Sequence, residues 1–333
     1  MIRVSYEEVL TTLAGVLRKL GFERERAELC ARLFADTSRD GVYSHGLNRF
    51  PRFVRTIQHG IVDVGATPQL TAKRGALERW DGRSGPGNLN AWHAMERAIA
   101  LCREHGVGCV ALANTNHWMR GGTYGWQAAD AGVIGICWTN TMPNLPPWGA
   151  SVAVVGNNPL VIAVPRPPAH VVLDMAMSQF SYGALQSYRT RREPLPVAGG
   201  FDNEGKLTQD AAAIEASRRP LPTGYWKGSG LALLLDLVAG MLSGGRFTRE
   251  ITPDPERETG LSQVFLAFDP AFAGAHGITA EKVEQVMEEF LEKPRARGER
   301  VRYPGQRQLE TRQENLANGI PVEPSVWDKI RAM

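Results

Sequence analysis

Long apolar runs are absent from this 333-residue chain. The longest, such as Leu231 to Leu235, fall far short of the ~20 residues that a membrane-spanning helix needs. The N-terminus opens on a helix pattern with no apolar signal segment, so no membrane association is expected and the reducing cytoplasm is the expected location. Cysteine is scarce. Cys30, Cys102, Cys109 and Cys137 show neither C-x-x-C spacing nor a zinc-like pairing with histidines, and the last three sit in apolar runs as small hydrophobes. Excess charge is lacking too, with a formal net charge of +3. The arginine-rich stretches Arg189 to Arg192 and Arg295 to Arg302 are short and interrupted, so no nucleic-acid partner is indicated. No G-x-G-x-x-G stands at a strand-to-helix junction, which argues against a Rossmann site. Neither a G-x-S-x-G elbow nor an H-E-x-x-H or H-x-x-x-H spacing occurs, which argues against a serine hydrolase and against a bound metal.

The composition, 43% hydrophobic and 22% charged, is that of a globular protein able to bury a substantial core in one large domain or two smaller ones. The first ~60 residues read as helical. Ser5 and Glu8 form an S-x-x-E capping box ahead of Leu10, Leu13, Leu17 and Leu20, and Gly21 ends that helix. Further helices are expected over Glu23 to Asp36, Asn48 to His59, and from an Asn88 cap to His105. The pattern then turns to β-rich runs: Val107 to Ala113, Val133 to Thr139, Val152 to Val155, Leu160 to Val164, Val171 to Met175 and Ser262 to Phe268. Helices are expected at Gly125 to Ala131, Ser178 to Tyr188, Gly230 to Leu242 and Ala280 to Leu291, with a long polar loop over Arg189 to Lys227. The reading is α/β with a helical N-terminal portion.

Chemistry concentrates at Asp40-Gly41-Val42-Tyr43-Ser44-His45-Gly46-Leu47-Asn48-Arg49. His45 follows a helix end, flanked by Ser44 and Gly46, with Arg49 about one turn on. A histidine so placed suits proton transfer near neutral pH, and an arginine suits a carboxylate. Ser44 as a nucleophile is the weaker alternative, since adjacent side chains seldom face each other. His117, in Asn116-His117-Trp118-Met119-Arg120-Gly121-Gly122, is either a second proton-transfer group or a packing residue. His59, His93, His105, His170 and His276 read as structural or surface. Gly224-Tyr225-Trp226-Lys227-Gly228-Ser229-Gly230 precedes an apolar helix. Its amides and Lys227 would meet an anion there, and Trp226 would stack on a cofactor ring.

Taken in order, Ser44-His45-Gly46 with Arg49, Asn116-His117, Pro147-Trp148-Gly149, Gly156-Asn157-Asn158-Pro159, Asp174-Met175-Ala176 and Tyr225 to Leu231 resemble the malate/L-lactate/ureidoglycolate/sulfolactate dehydrogenase family. Within it, Gly41 to Gly46, Asn116 to Gly122 and Phe180-Ser181-Tyr182-Gly183 are similar to the branch that reduces 2,3-diketo-L-gulonate to 3-dehydro-L-gulonate. The resemblance implies a non-Rossmann, L-sulfolactate dehydrogenase-like α/β fold with a mixed sheet flanked by helices. It also implies a cytoplasmic homodimer and an NAD(P)H-dependent reductase of a keto acid. Residues 1–120 plus 275–333 would form the helical substrate and dimerisation portion, and 121–274 the cofactor portion. His45 would be the proton donor, with His117 the rival. Ser44, Arg49, Arg120 and Asn158 would line the substrate. Cofactor contacts would fall on His170, Val171, Val172, Leu173, Asp174, Met175, Ala176, Trp226, Lys227, Gln306, Arg307 and Gln308. Arg307 stands where the family pattern is acidic. An acid suits a ribose hydroxyl and an arginine a 2′-phosphate, so NADH is the expected cofactor with NADPH the alternative. Oxidation of malate, lactate or ureidoglycolate, reduction of a cyclic imine, or a non-catalytic binding role are the competing readings.

Overall fold

Ser5 caps the first helix as its spacing predicts, its Oγ accepting from the Glu8 N–H at 3.1 Å. The computed structural model describes residues 1–272, 280–292 and 301–333; His276, residues 295–300 of the second arginine-rich stretch and the 274/275 portion boundary lie outside them. Helix α1 (Tyr6–Lys19) buries Val9, Leu13, Val16 and Leu17 against α2 (Arg24–Arg39) and α3 (Phe50–Gln58). Phe34 meets Phe50 edge-on at 5.1 Å and lies 5.3 Å from Phe53, which locks α2 to α3. A ribbon of β1 (Ile2–Val4) and β11 (Ile320–Val322) ties the two chain ends together, and α11 (Pro324–Arg331) adds Trp327 and Ile330 to the same core.

The central sheet has seven strands, taken from both halves of the chain. These are β2 (Gln69–Arg74), β3 (Leu77–Asp81), β4 (Val107–Thr115), β10 (Leu261–Phe268), β5 (Ile134–Thr139), β6 (Leu160–Val164) and β7 (Val171–Met175), in that spatial order. Only β3 and β4 pair in parallel; the sheet is mixed, as expected. Alternation along β10 fixes what covers each face. Phe265 and Ala267 pack with α4 (Gly87–His105) and α5 (Gly122–Asp130), while Val264 and Leu266 pack with α8 (Trp226–Ser243). Helix α4 carries Ala91, Ala94 and Ala98 on its inner side. It lies so close to β4 that a methyl on Gly108 would strike the Ala98 carbonyl oxygen.

Several expectations require correction. Val152 to Val155 is not a strand: Val152 and Val154 are exposed, and only Val155 bridges, to Leu145. That stretch is held instead by side-chain bonds such as Asn157 N–H to Asn144 Oδ1 at 2.8 Å. Asn88 does not cap α4, because Pro86 holds the cap position. The Asn88 Nδ2 donates to Cys30 Sγ at 3.2 Å. The segment from Arg189 to Lys227 is not structureless. It carries the hairpin β8 (Gly200–Phe201) and β9 (Leu207–Thr208) and the helix α7 (Ala211–Ser217), with α6 (Tyr182–Arg191) beside them over a small core of Leu185, Leu195, Ala211 and Ile214. Elements of two to seven residues are too short for periodicity to reveal. Helix α8 begins at Trp226, four residues before the expected Gly230, so Gly228 and Gly230 are helical rather than a loop. Hairpin β2–β3 and helix α10 (Gln306–Asn318) complete the chain alongside α9 (Ala280–Glu292). Among the described residues no helix is long and apolar enough to cross a membrane.

Candidate active site

The Ser-His-Gly segment is a short 3₁₀ turn, Tyr43–His45, set between α2 and α3. Gly41 at φ 83° lets the chain leave α2 sharply, a conformation that L side chains rarely adopt. Gly46 sits where any Cβ would collide with the Ser38 hydroxyl, which also accepts the Leu47 N–H at 2.8 Å. This brings Ser44 Oγ to 3.0 Å from His45 Nδ1 and places Arg49 at the start of α3.

The loop after β4 supplies the second histidine. Asn116 Nδ2 donates to the Ser84 and Gly85 carbonyls at 2.8 and 2.9 Å, and Tyr124 Oη donates to the Trp118 carbonyl at 2.6 Å. A methyl on Gly87 would run into the Asn116 and His117 carbonyl oxygens, so α4 presses directly on this loop. The outcome is that His45 and His117 stack, with ring centroids 6.0 Å apart and planes 22° from parallel. His117 Nδ1 accepts the Met119 N–H at 3.0 Å, which leaves the ring hydrogen of the neutral imidazole on Nε2.

Both rings are held neutral. Desolvation, with the cations of Arg49 and Arg120, lowers the His45 pKa to about 4. Desolvation, Arg49 and His45 push His117 well below its ordinary value. Desolvation and Arg52 lower Arg49 to about 10, still a cation at neutral pH.

Arg120 is buried and donates through Nη1 to Asp40 Oδ2 at 2.7 Å, while its Nε and Nη2 are without partners among the described residues. Asp40 also takes a two-pronged bond from Arg312 at 2.7 Å on each arm and one from Arg39 at 2.9 Å. These cations outweigh its desolvation and hold its carboxyl well below the usual carboxylate range. Arg312 in turn lies over the Trp126 ring at 4.8 Å.

The residues expected at a cofactor also converge. Strand β7 carries Val171 to Met175 and is joined to the start of α10 by the Val172 N–H to Pro304 carbonyl bond at 2.9 Å, which brings Gln306, Arg307 and Gln308 alongside. The Thr223 N–H bonds the Met177 carbonyl at 2.8 Å, so exposed Trp226 and Lys227 at the first turn of α8 lie beyond the Ala176 end of the same strand. Asp174 Oδ2 accepts the Gly122 N–H at 2.7 Å, linking this strand to the His117 loop. Gly183 would bring a Cβ within 2.8 Å of Ser44 Cβ, so the start of α6 abuts the Ser-His-Gly turn.

Two expected residues are occupied within the protein. Asn158 is fully buried, accepting from Thr141 N–H at 2.9 Å and donating to the Ala232 carbonyl at 2.8 Å. The His170 ring accepts from Arg166 N–H at 2.8 Å and meets Asp130 at 3.1 Å. Sequence reading also missed residues of the site. Arg52, Thr56 and Glu258 line a small cavity with Arg49, Asn116 and His117. Asp40 opens the very motif that drew notice, yet an acid at a helix end carries no signal of three arginine partners.

With this geometry in place, the comparisons with known proteins are informative. The family described as malate/L-lactate dehydrogenase matches residues 4–331. The chain is 45% identical over its full length, and the relative's full length, to 2,3-diketo-L-gulonate reductase of Escherichia coli (strain K12). Its fold is similar to that of sulfolactate dehydrogenase from Methanocaldococcus jannaschii, with a TM-score of 0.91, 27% identity, and 99% and 95% of the two chains covered. It is also similar to delta1-piperideine-2-carboxylate reductase from Pseudomonas syringae pvar. tomato, with a TM-score of 0.87, 27% identity, and 100% and 99% covered.

The Asp40 cluster makes a prediction about acid stability. A carboxyl whose folded pKa is depressed stabilises the fold above its unfolded pKa of about 4, and that contribution is lost as pH falls through the folded value. Asp40→Asn is expected to reduce stability at neutral pH by roughly 3 kcal/mol, because it leaves Arg120 desolvated without its counter-charge. It is also expected to flatten the loss of stability between about pH 5 and 3. Urea unfolding at several pH values measures both, and parallel curves for the two proteins would rule the account out.

Proposed function

The chain belongs to the malate/L-lactate dehydrogenase family, oxidoreductases acting on CH–OH/C=O, and on that premise we propose that it is an NAD(P)H-dependent reductase of a 2-keto sugar acid. The substrate proposed is 2,3-diketo-L-gulonate, reduced to 3-dehydro-L-gulonate, with His45 as general acid; the 45% identity to a relative of that name supports it. The observation that carries the reading is the stacked His45–His117 pair beside Arg49 and Arg120, with Asp174 tied to the segment after His117 by the Gly122 N–H.

The residues present fit a nicotinamide dinucleotide. Two helix N-termini, at Trp226 and Gln306, open beside opposite ends of β7, and each favours an anionic group. Exposed Trp226, Lys227 and Arg307 offer a stacking ring and cations, and Ser178, bridged to Pro222 just before α8, has a buried hydroxyl with no partner among the described residues. When bound, the cofactor supplies the hydride. NADH is the proposed form, and Arg307 makes NADPH the alternative to measure beside it.

Arg49 and Arg120 hold the substrate carboxylate, and that anion opposes the part of the His45 shift that these two cations add to desolvation. His45 thus takes up a proton as substrate binds and delivers it to the oxygen of the carbonyl being reduced. Neutral His117 donates its Nε2 hydrogen to the same oxygen and polarises it without changing its own protonation.

A homodimer is part of the proposal. Leu231, Leu234, Val238 and Met241 form an exposed apolar stripe at helical spacing along α8. The stripe starts beside Trp226 and Lys227, in the 121–274 portion rather than the one first assigned to dimerisation. Free thiols at Cys30, Cys102, Cys109 and Cys137 accord with a cytoplasmic location.

His45→Asn is expected to lower kcat about 100- to 10,000-fold while leaving NADH affinity nearly unchanged, read by stopped-flow turnover and cofactor titration. Wild-type turnover would pass the role to His117. In the reductive direction, kcat/KM is expected to fall steadily between pH 5 and 8, because the His45 of the free protein titrates near 4. The kcat profile should hold to higher pH, since bound carboxylate raises that pKa; coincident profiles would contradict proton uptake on binding. Leu234→Glu, at the middle of the stripe, should yield monomers by light scattering, and an unchanged mass would place the interface elsewhere. Side-by-side rates on 2,3-diketogulonate, oxaloacetate, pyruvate and a cyclic imine test the substrate itself.

A further inference from the structure

Beyond the histidine pair lies the small cavity lined by Arg49, Arg52, Thr56, His117, Pro255 and Glu258. Its charges form a closed group. Arg52 and Arg55 share Glu256, at 3.2 and 3.0 Å. Arg49 and Glu258 face each other across 4.0 Å, too long for a hydrogen bond. Three arginines against two glutamates leave one net positive charge, which a single carboxylate balances.

Glu258 is 8% exposed, and its two oxygens differ. Oε1 accepts the Met142 N–H at 3.0 Å, which fixes the carboxyl group in place. Oε2 has no hydrogen-bond donor among the described residues, and Arg49 lies 4.0 Å from it in the wall of the cavity that both residues line. A fixed carboxylate oxygen with free lone pairs is a ready acceptor for hydroxyl donors. The same oxygen repels a second carboxylate in a site poorly screened by water. We propose that Glu258 is the specificity-determining residue of this site, selecting monoanionic polyhydroxy acids over dicarboxylates by accepting hydrogen bonds from the substrate's hydroxyls. The proposal rests on the keto-acid reading above and narrows it to one class of substrate.

The test uses Glu258→Gln in the full-length protein. Glutamine keeps the oxygen that receives the Met142 N–H, so the loop stays anchored, and it replaces Oε2 with a neutral donor. The ratio of kcat/KM on oxaloacetate to that on 2,3-diketogulonate is expected to rise about tenfold or more, through a gain on the dianion and a loss on the polyol. Calorimetry with L-gulonate and malonate as probes, in the presence of NAD⁺, should show the same inversion of preference without any turnover. Equal losses on both substrates and on both probes would overturn the proposal and leave Glu258 as an anchor for Met142. If the wild-type protein reduced none of the keto acids, the reductase reading would fail. The probe pair would still decide: a gulonate preference abolished in the variant sustains the role of Glu258, and equal binding of both probes by both proteins refutes it.

Discussion

One desolvated carboxylate organises the site. Asp40 ends α2, and its two oxygens receive Arg39 from its own helix, Arg120 from the His117 loop and Arg312 from α10 near the C-terminus. Three segments far apart in sequence therefore meet on one residue of the turn that carries His45. A desolvated ion group of this kind is weak evidence for stability, since removing charges from water costs several kcal/mol each. Its value is geometric. Arg120 is buried with two N–H groups unpartnered among the described residues, and a guanidinium so placed would not stay there without Asp40.

That cation then adds to the field at one histidine. Desolvation, with Arg49 and Arg120, holds His45 deprotonated, and desolvation with Arg49 and His45 does the same to His117. An empty site of this kind is charged wrongly for proton donation and rightly for capturing an anion. In the reaction we propose, binding and protonation are coupled: the ligand that needs the proton carries the charge that favours it. The stacked arrangement also divides the labour between the rings. The Met119 N–H leaves His117 a fixed hydrogen-bond donor, whereas Ser44 beside His45 can give or accept and so tolerates either protonation state.

Much of this was legible in the sequence, and the reasons are local. Ser5 and the leucines of α1 obey capping and 3.6-residue rules that act within one turn, so the helix is read correctly. His45, Arg49, His117 and Asp174 stand in short motifs whose order along the chain carried the resemblance to the family. Glu258, Arg52 and Arg312 were invisible because their meaning comes from partners more than 100 residues away or from a cavity no linear pattern describes. Asn158 sits in a family motif, and its amide braces Thr141 against α8, a role that no linear pattern describes. The β8–β9 and α7 region escaped because elements of two to seven residues carry too few periods to register.

The glycines of the motifs explain why such short patterns could be informative at all. Gly87 lets α4 touch the His117 loop, Gly122 gives its N–H to Asp174, and Gly183 lets α6 approach Ser44. At Gly87 two segments meet backbone to backbone, while at Gly122 and Gly183 the backbone meets the Asp174 and Ser44 side chains, and a methyl group at any of the three would require a shift. The Ser-His-Gly turn, the His117 loop and β7 are thus held in register by close approaches at glycine. These approaches set the distance between the groups that the proposed reaction requires to act together.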